Sequence, residues 1–401
     1  MSQRSRLAPW IGAAIGAVVG YVLAYQFARN AGGLLPAGAS KAALWWLLPL
    51  APAAFFATII VHELGHLAGA RLAGFRFRLL TLGPFSLVGT PAGLRLRSNW
   101  QVLRLIGGQQ LSTPPGQGAS DRAYYLIYLA GGVLANALTA ALALAWLLHC
   151  PMPVVPWLFL LLFAGFSLLL GIVNALPIQT PEGIATDGYN IRALLRGGAQ
   201  AERFRALLSM LGLIYSGVRP ADWPQAVVDA IGGDAPARPG YLAALAPCLR
   251  LQWAIDRQDD VEAAAAAAQL EAIYGSLQGP IRPHFAAELA YWHGAASPQP
   301  DAALAQRYAE DAARSAYLIS PATVRRAQAA AALASGRFDD AVAHCDAGLA
   351  CGAAALNEFD RTMEPLWLQA LKDRAQAAGV TQADAAGKEK RRTVAGSPSS
   401  S

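Results

Sequence analysis

Five consecutive residues, His62-Glu63-Leu64-Gly65-His66, carry the side chains from which hydrolytic metal sites are made. On a helix with 3.6 residues per turn, His62 and His66 stand one above the other, so two imidazoles can share one metal ion. Glu63, one residue on and about 100° around the helix, can reach a water on that ion and take its proton. Zinc lowers the pKa of such a water toward ~7, which makes it a nucleophile at neutral pH. The pentapeptide is half of a zinc site, because a catalytic zinc takes three protein ligands plus water. The competing reading is that these residues are simply the polar end of a membrane helix near the headgroups. Ionisable groups at membrane depth are costly, which favours the functional reading.

A third ligand has to come from elsewhere in the chain. The stretch from Asn174 to Gly188 (NALPIQTPEGIATDG) follows an apolar run and holds two carboxylates and the amide of Asn174, besides Gln179, at the same membrane level as the histidines. Asp187, followed by Gly188, is the expected third ligand, with Glu182 as the alternative. Pro177 and Pro181 break the helix there and free backbone groups that are tolerated only inside protein or beside a water-filled cavity. Hydrolysis needs that water.

The elements that must position these groups are membrane helices. The chain has 401 residues, 55% apolar and 14% charged, with a mean hydropathy of +0.32, far from an ordinary soluble composition. Four apolar runs are each about as long as a bilayer is thick: Pro9 to Ala28, Ala42 to Ala73, Ala123 to Leu148 and Val154 to Leu176. In the second, Trp45 and Trp46 mark one interface, Pro49 and Pro52 predict a kink, and the histidines lie near the other end. Gly65 and Gly69 form a small-xxx-small pair that lets a neighbouring helix come close to the metal-bearing face. Asn136, a lone amide in the third run, is read as a helix-to-helix hydrogen bond.

Between the second and third runs the chain carries Arg71, Arg76, Arg78, Arg95, Arg97, Arg104 and Arg122, the excess expected of a cytoplasmic loop. This predicts a multi-pass protein of the cell membrane, of the bacterial inner-membrane kind, with both termini cytoplasmic. The net charge of +6 is explained by that topology and calls for no nucleic acid. Phe75 to Leu80 and Leu94 to Arg97 alternate with period two, which predicts strands in an otherwise helical protein. The basic loop either rests on anionic headgroups or offers a strand edge to an extended substrate segment. Cys150, Cys248, Cys345 and Cys351 show no paired spacing, so neither a thiolate metal site nor a disulfide framework is expected.

These motifs, in this order, resemble the site-2 protease family of intramembrane zinc metalloproteases (peptidase family M50). The likeness covers about residues 42 to 192. It rests on His-Glu-x-x-His at the end of a membrane helix, a strand-bearing basic loop, Gly132-x-x-x-Asn136, and Asn174-x-x-Pro177 leading to Asp187-Gly188. The resemblance implies that His62, His66 and Asp187 bind Zn2+, that Glu63 is the general base, and that Asn174 contacts the substrate or transition state. It further implies that membrane-spanning or membrane-proximal protein segments are cut near the cytoplasmic face. The family's usual Asn-x-x-Pro-x-Pro-x-x-Asp-Gly is stretched here to thirteen positions between Asn174 and Asp187, and no PDZ-like insertion separates the spans.

Past Tyr189 the chain turns Ala-rich with scattered charge. Residues 200–378 read as helix-turn-helix units of tetratricopeptide-like kind, with turns at Tyr215-Ser216-Gly217, Asp256 to Asp260 and Ser335 to Phe338. Such stacked hairpins either hold a cytoplasmic protein partner or simply support the membrane part. The expected architecture is therefore an all-α membrane protein. A transmembrane metalloprotease domain spans 1–192, a cytoplasmic helical-repeat domain 200–378 and a disordered tail 379–401, with one short strand-bearing loop. Two rival functions are a catalytically silent membrane scaffold that recruits partners through the helical repeats, and metal transport. The intact Glu63 speaks against the first, and the lack of further intramembrane carboxylates or histidines along a path speaks against the second.

Overall fold

The structure is a computed structural model and describes residues 41–90, 93–98, 107–115, 121–180, 185–232, 241–277, 282–314, 319–352 and 357–395. The first apolar run, Pro9 to Ala28, lies outside these residues, as do Arg104 and Glu182. Three described helices are long and apolar enough to cross a membrane: α1 (Leu47–Leu72), α2 (Arg122–His149) and α3 (Val154–Ala175). A short 3₁₀ turn, Lys41–Trp46, leads into α1. Pro49 falls in its first turn, where its missing N–H would have had no intrahelical partner, and Pro52 follows one turn later. Leu134, Leu138, Leu142 and Trp146 of α2, with Leu169 and Ile172 of α3, present large exposed apolar side chains. Water would not tolerate so many in contiguous rows, whereas lipid does.

The helix that bears the histidines is buried along one stripe. Ala54, Thr58, His62, His66 and Ala70 recur every four residues and are all buried, flanked by Ile59 and Glu63. Polar residues on that stripe are costly unless they find partners.

Between α1 and α2 lies a four-stranded antiparallel sheet of β1 (Arg76–Leu82), β2 (Phe85–Thr90), β3 (Gly93–Ser98) and β4 (Gly108–Thr113), in the order β3-β2-β1-β4. The first alternating run falls on β1, with Phe75 just before it, and the second falls within β3. The less patterned β2 and β4 were not evident in the sequence. The β1–β2 turn is Gly83-Pro84, with Gly83 at φ +56°, a backbone region that glycine reaches without strain.

By internal contacts the chain divides into two units, Met1–Gly65 with Gly132–Val173, and His66–Gly131 with Asn174–Ser401. The division passes through the continuous helices α1 and α2, whereas composition suggested a border near residue 192. In the first unit Thr58 Oγ1 donates to the Ala54 carbonyl and lies 3.3 Å from Ser167 Oγ, and Phe55 meets Phe166 edge to face.

In the second unit the sheet is followed by α4 (Asp187–Arg196), α5 (Ala199–Tyr215), α6 (Gln225–Gly232), α7 (Tyr241–Asp256), α8 (Asp260–Tyr274), α9 (Arg282–Tyr291), α10 (Ala302–Ala313), α11 (Pro321–Ala334), α12 (Phe338–Leu349) and α13 (Glu358–Ala395). Helix α7 packs on α8, α9 on α10, and α11 on α12, as helical hairpins require. All three turns expected from the sequence end one helix before the next begins. Gly217 and Gly336 both sit at φ +70°, and Asp259 caps α8 by accepting from the Glu262 N–H at 3.0 Å. A buried ionic cluster ties α9, α11 and α13 together. Arg326 donates to Glu288 at 2.7 Å and to Glu364 at 2.9 Å, with its guanidinium 4.6 Å from the ring centroids of both Tyr291 and Trp367.

The expected disordered tail is a correction. Residues 379–395 continue α13, because an Ala-, Lys-, Glu- and Arg-rich stretch has high helix propensity despite its charge. Only 396–401 lie outside the description.

Candidate metal centre

Helix α1 places His62 and His66 one turn apart on its buried face. Asp187 is the first residue of α4, where the helix dipole favours a carboxylate. One ligand atom from each of His62, His66 and Asp187 lies within 4.8 Å of the others. His66 Nε2 and Asp187 Oδ2 are 3.3 Å apart, and two ligands on one tetrahedral zinc are separated by about 3.4 Å. The Asp187 side chain is 15% exposed, so the group is shielded without being sealed.

How Asp187 arrives there explains the stretched spacing. The Thr186 N–H donates to the Ile178 carbonyl at 3.0 Å and Gln179 bridges Ala185, so the segment up to Thr180 and the segment from Ala185 onward are paired side by side. Thr186 fastens its base: its hydroxyl donates to the Leu176 carbonyl at 2.6 Å and accepts from the Tyr189 N–H, capping α4. Gly188 is then needed for close approach. A Cβ there would stand 2.0 Å from the Ala175 carbonyl oxygen, so only glycine lets α4 start against the end of α3.

The histidines are oriented by their second nitrogens. His66 Nδ1 lies 3.0 Å from the Tyr128 carbonyl, which can only accept, so Nδ1 carries the proton and Nε2 keeps its lone pair. Gly69 makes this approach possible, as a Cβ there would meet the Ile127 carbonyl at 2.5 Å. The small-residue reading of Gly69 is thereby borne out. His62 Nδ1 lies 3.3 Å from the side-chain amide of Asn136, whose Oδ1 is buried and accepts no hydrogen bond among the described residues. Turned by half, that amide would instead accept from Nδ1–H through Oδ1 and so present Nε2 to a metal. Asn136 does make the helix-to-helix bond expected of it, and its partner is one of the candidate ligands.

Two imidazoles, a carboxylate, and outer partners that set the ring tautomers form a donor set that fits zinc. The four cysteines are free and none belongs to the group. Glu63 is buried beside the histidines on α1. Asn174 lies half-buried in the last turn of α3, thirteen positions before Asp187. The contributions that sequence reasoning missed are the Tyr128 carbonyl and the Thr186 clamp. The first is a backbone group and leaves no side-chain signal, while the second reads in the sequence only as a helix cap.

Comparison of the chain with protein-family models, with curated proteins and with solved structures finds no match.

Proposed function

We propose that this chain is an intramembrane zinc metalloprotease of the site-2 protease kind, hydrolysing peptide bonds of membrane-spanning or membrane-proximal segments near the cytoplasmic face. The observation that carries the reading is the convergence of His62, His66 and Asp187 at the end of a membrane-length helix whose next residue after His62 is the buried Glu63. His62, His66 and Asp187 would hold the ion, which when bound supplies polarisation of the scissile carbonyl and a more acidic water. Glu63 takes the proton of the attacking water and returns it to the departing amine. Asn174 donates a hydrogen bond to the developing oxyanion. The Tyr128 carbonyl holds the His66 imidazole in the tautomer that leaves Nε2 unprotonated, and Asn136 with its amide turned would do the same for His62.

A substrate helix hides its peptide bonds within its own hydrogen bonds and must unwind to be cut, which favours segments containing Gly, Pro or Asn. The exposed outer strand β3 offers main-chain groups to such an unwound segment. A scaffold would need no buried carboxylate beside two ligand histidines, so the protease reading accounts for more of the site. The helical hairpins from α7 onward then serve to engage a cytoplasmic protein partner.

The test is cleavage of fluorogenic transmembrane peptides in liposomes by wild type and Glu63→Gln, with zinc content measured in both. Wild type cuts, and Glu63→Gln keeps its zinc but loses at least about 100-fold in rate. Equal cleavage by both, or zinc retained by both with no peptide cut, would overturn the proposal.

A further inference from the structure

The loop between Glu63 and Asp121 contains no acidic residue at all, yet it folds its arginines around a cavity. Arg71, Arg76 and Arg78 line an open cavity of about 540 Å³, together with Thr90, Leu94 and Ser216. None of the ion pairs among the described residues includes any of the three. Arg78 is fixed in place: its Nε donates to Thr113 Oγ1 at 2.9 Å and its Nη2 to Ser216 Oγ at 2.8 Å. Burial, and after it the neighbouring Arg76, pull the Arg78 pKa downward. Like charges gathered around one cavity without a carboxylate repel each other, and an anion placed among them relieves that repulsion.

We propose that this cavity is a binding site for a phosphoryl group, supplied by the headgroup of an anionic phospholipid. Arginine forks match phosphate oxygens in a bidentate way. The lipid source follows from position. Arg71 lies in the last turn of α1, where a membrane-length helix leaves the hydrocarbon, and Arg76 opens the strand that follows. A phosphate at headgroup depth is within reach of both, and the exposed Leu72 puts a large apolar side chain beside Arg71. The site is separate from the metal ligands and does not depend on the protease reading. Its role is to fix the depth at which α1 ends.

The test uses the full chain in nonionic detergent, titrated with mixed micelles of dioleoyl phosphatidylglycerol or dioleoyl phosphatidylcholine, and separately with inorganic phosphate. Wild type, Arg71→Gln/Arg76→Gln and Arg76→Gln are compared with the control Arg192→Gln/Arg196→Gln, which removes two exposed charges outside the cavity. Arg78 is left intact because its hydrogen bonds hold β4 and α5, and circular dichroism checks the fold of each variant. Wild type and the control bind phosphatidylglycerol over phosphatidylcholine, while Arg71→Gln/Arg76→Gln weakens this about 25-fold and Arg76→Gln about fivefold, at roughly fivefold per arginine. Saturable, Arg76-dependent binding of inorganic phosphate with no lipid preference supports the phosphoryl site but overturns the lipid source. Equal losses in the cavity and control variants, or no loss in either, overturn the site.

Discussion

Gly188→Ala is the sharpest test of how the metal group is built. The added methyl would stand 2.0 Å from the Ala175 carbonyl oxygen and 2.4 Å from its carbon, whereas carbon and oxygen rest at about 3.3 Å. The start of α4 must therefore retreat by about 1.3 Å, and Asp187 is the adjoining residue. His66 cannot follow, because Tyr128 holds its Nδ1 at 3.0 Å and Gly69 is already against the Ile127 carbonyl. Metal–ligand distances tolerate only about 0.2 Å, so the carboxylate falls out of range. Displacing an outer partner typically weakens metal binding about 10- to 100-fold, and displacing a ligand should cost at least the upper end of that. The overpacking itself costs about 1–3 kcal/mol of stability. Zinc affinity measured by competition with a chelator of known strength reads the first effect, and thermal unfolding of the detergent-solubilised chain reads the second. A variant with zinc affinity within threefold of wild type would refute the reasoning, since α4 would then not be held against α3 by that glycine.

Four further outcomes follow from the structure. Asn136→Leu, close in volume but without a hydrogen-bonding amide, should weaken zinc binding about 10- to 100-fold, while Asn136→Asp, which keeps an oxygen acceptor, should retain most of it; equal affinity in all three proteins would remove Asn136 from the site. Arg326→Ala strands Glu288 and Glu364 in the core of the helical part and should cost about 3–5 kcal/mol in chemical denaturation, a loss that a fully exposed arginine would not produce. Burial alone would raise the Glu288 pKa, but Arg326 beside it wins and holds it below its ordinary 4.5, so its contribution to stability is complete above pH about 4.5 and disappears as pH falls through the depressed value; an acid titration of wild type should show this loss and one of Arg326→Ala should not. A Pro or Gly near the scissile bond of a transmembrane peptide should speed its cleavage by the reconstituted protein relative to a Leu-only peptide, and slower cleavage would contradict the need for local unwinding.

Most of the helical layout was legible because it rests on local rules. The apolar runs predicted α1, α2 and α3 to within a few residues, since twenty apolar residues in sequence have few alternatives in a bilayer. The helical turns at Gly217, Gly336 and Asp259 were equally readable, because positive φ and capping are properties of a few adjacent residues. Strands β2 and β4 were not, because their stability comes from the register with β1 and β3 and not from their own alternation. The tail went the same way in reverse: its charge suggested disorder, while helix propensity carried α13 through to Ala395.

The same division runs through the candidate site. The sequence alone determined that His62 and His66 share a helix face with Glu63 next to them, because that follows from 3.6 residues per turn and needs no partner. Only the tertiary structure decided that Asp187 joins them, since a chain leaving α3 at Ala175 can return to any of several places until Thr186 closes on Ile178 and Gly188 seats against the Ala175 carbonyl. It also decided which nitrogen His66 offers and what stands beside His62. These partners are the backbone carbonyl of Tyr128 and the side-chain amide of Asn136, each more than sixty residues away in the chain and brought within 3.3 Å by helix packing.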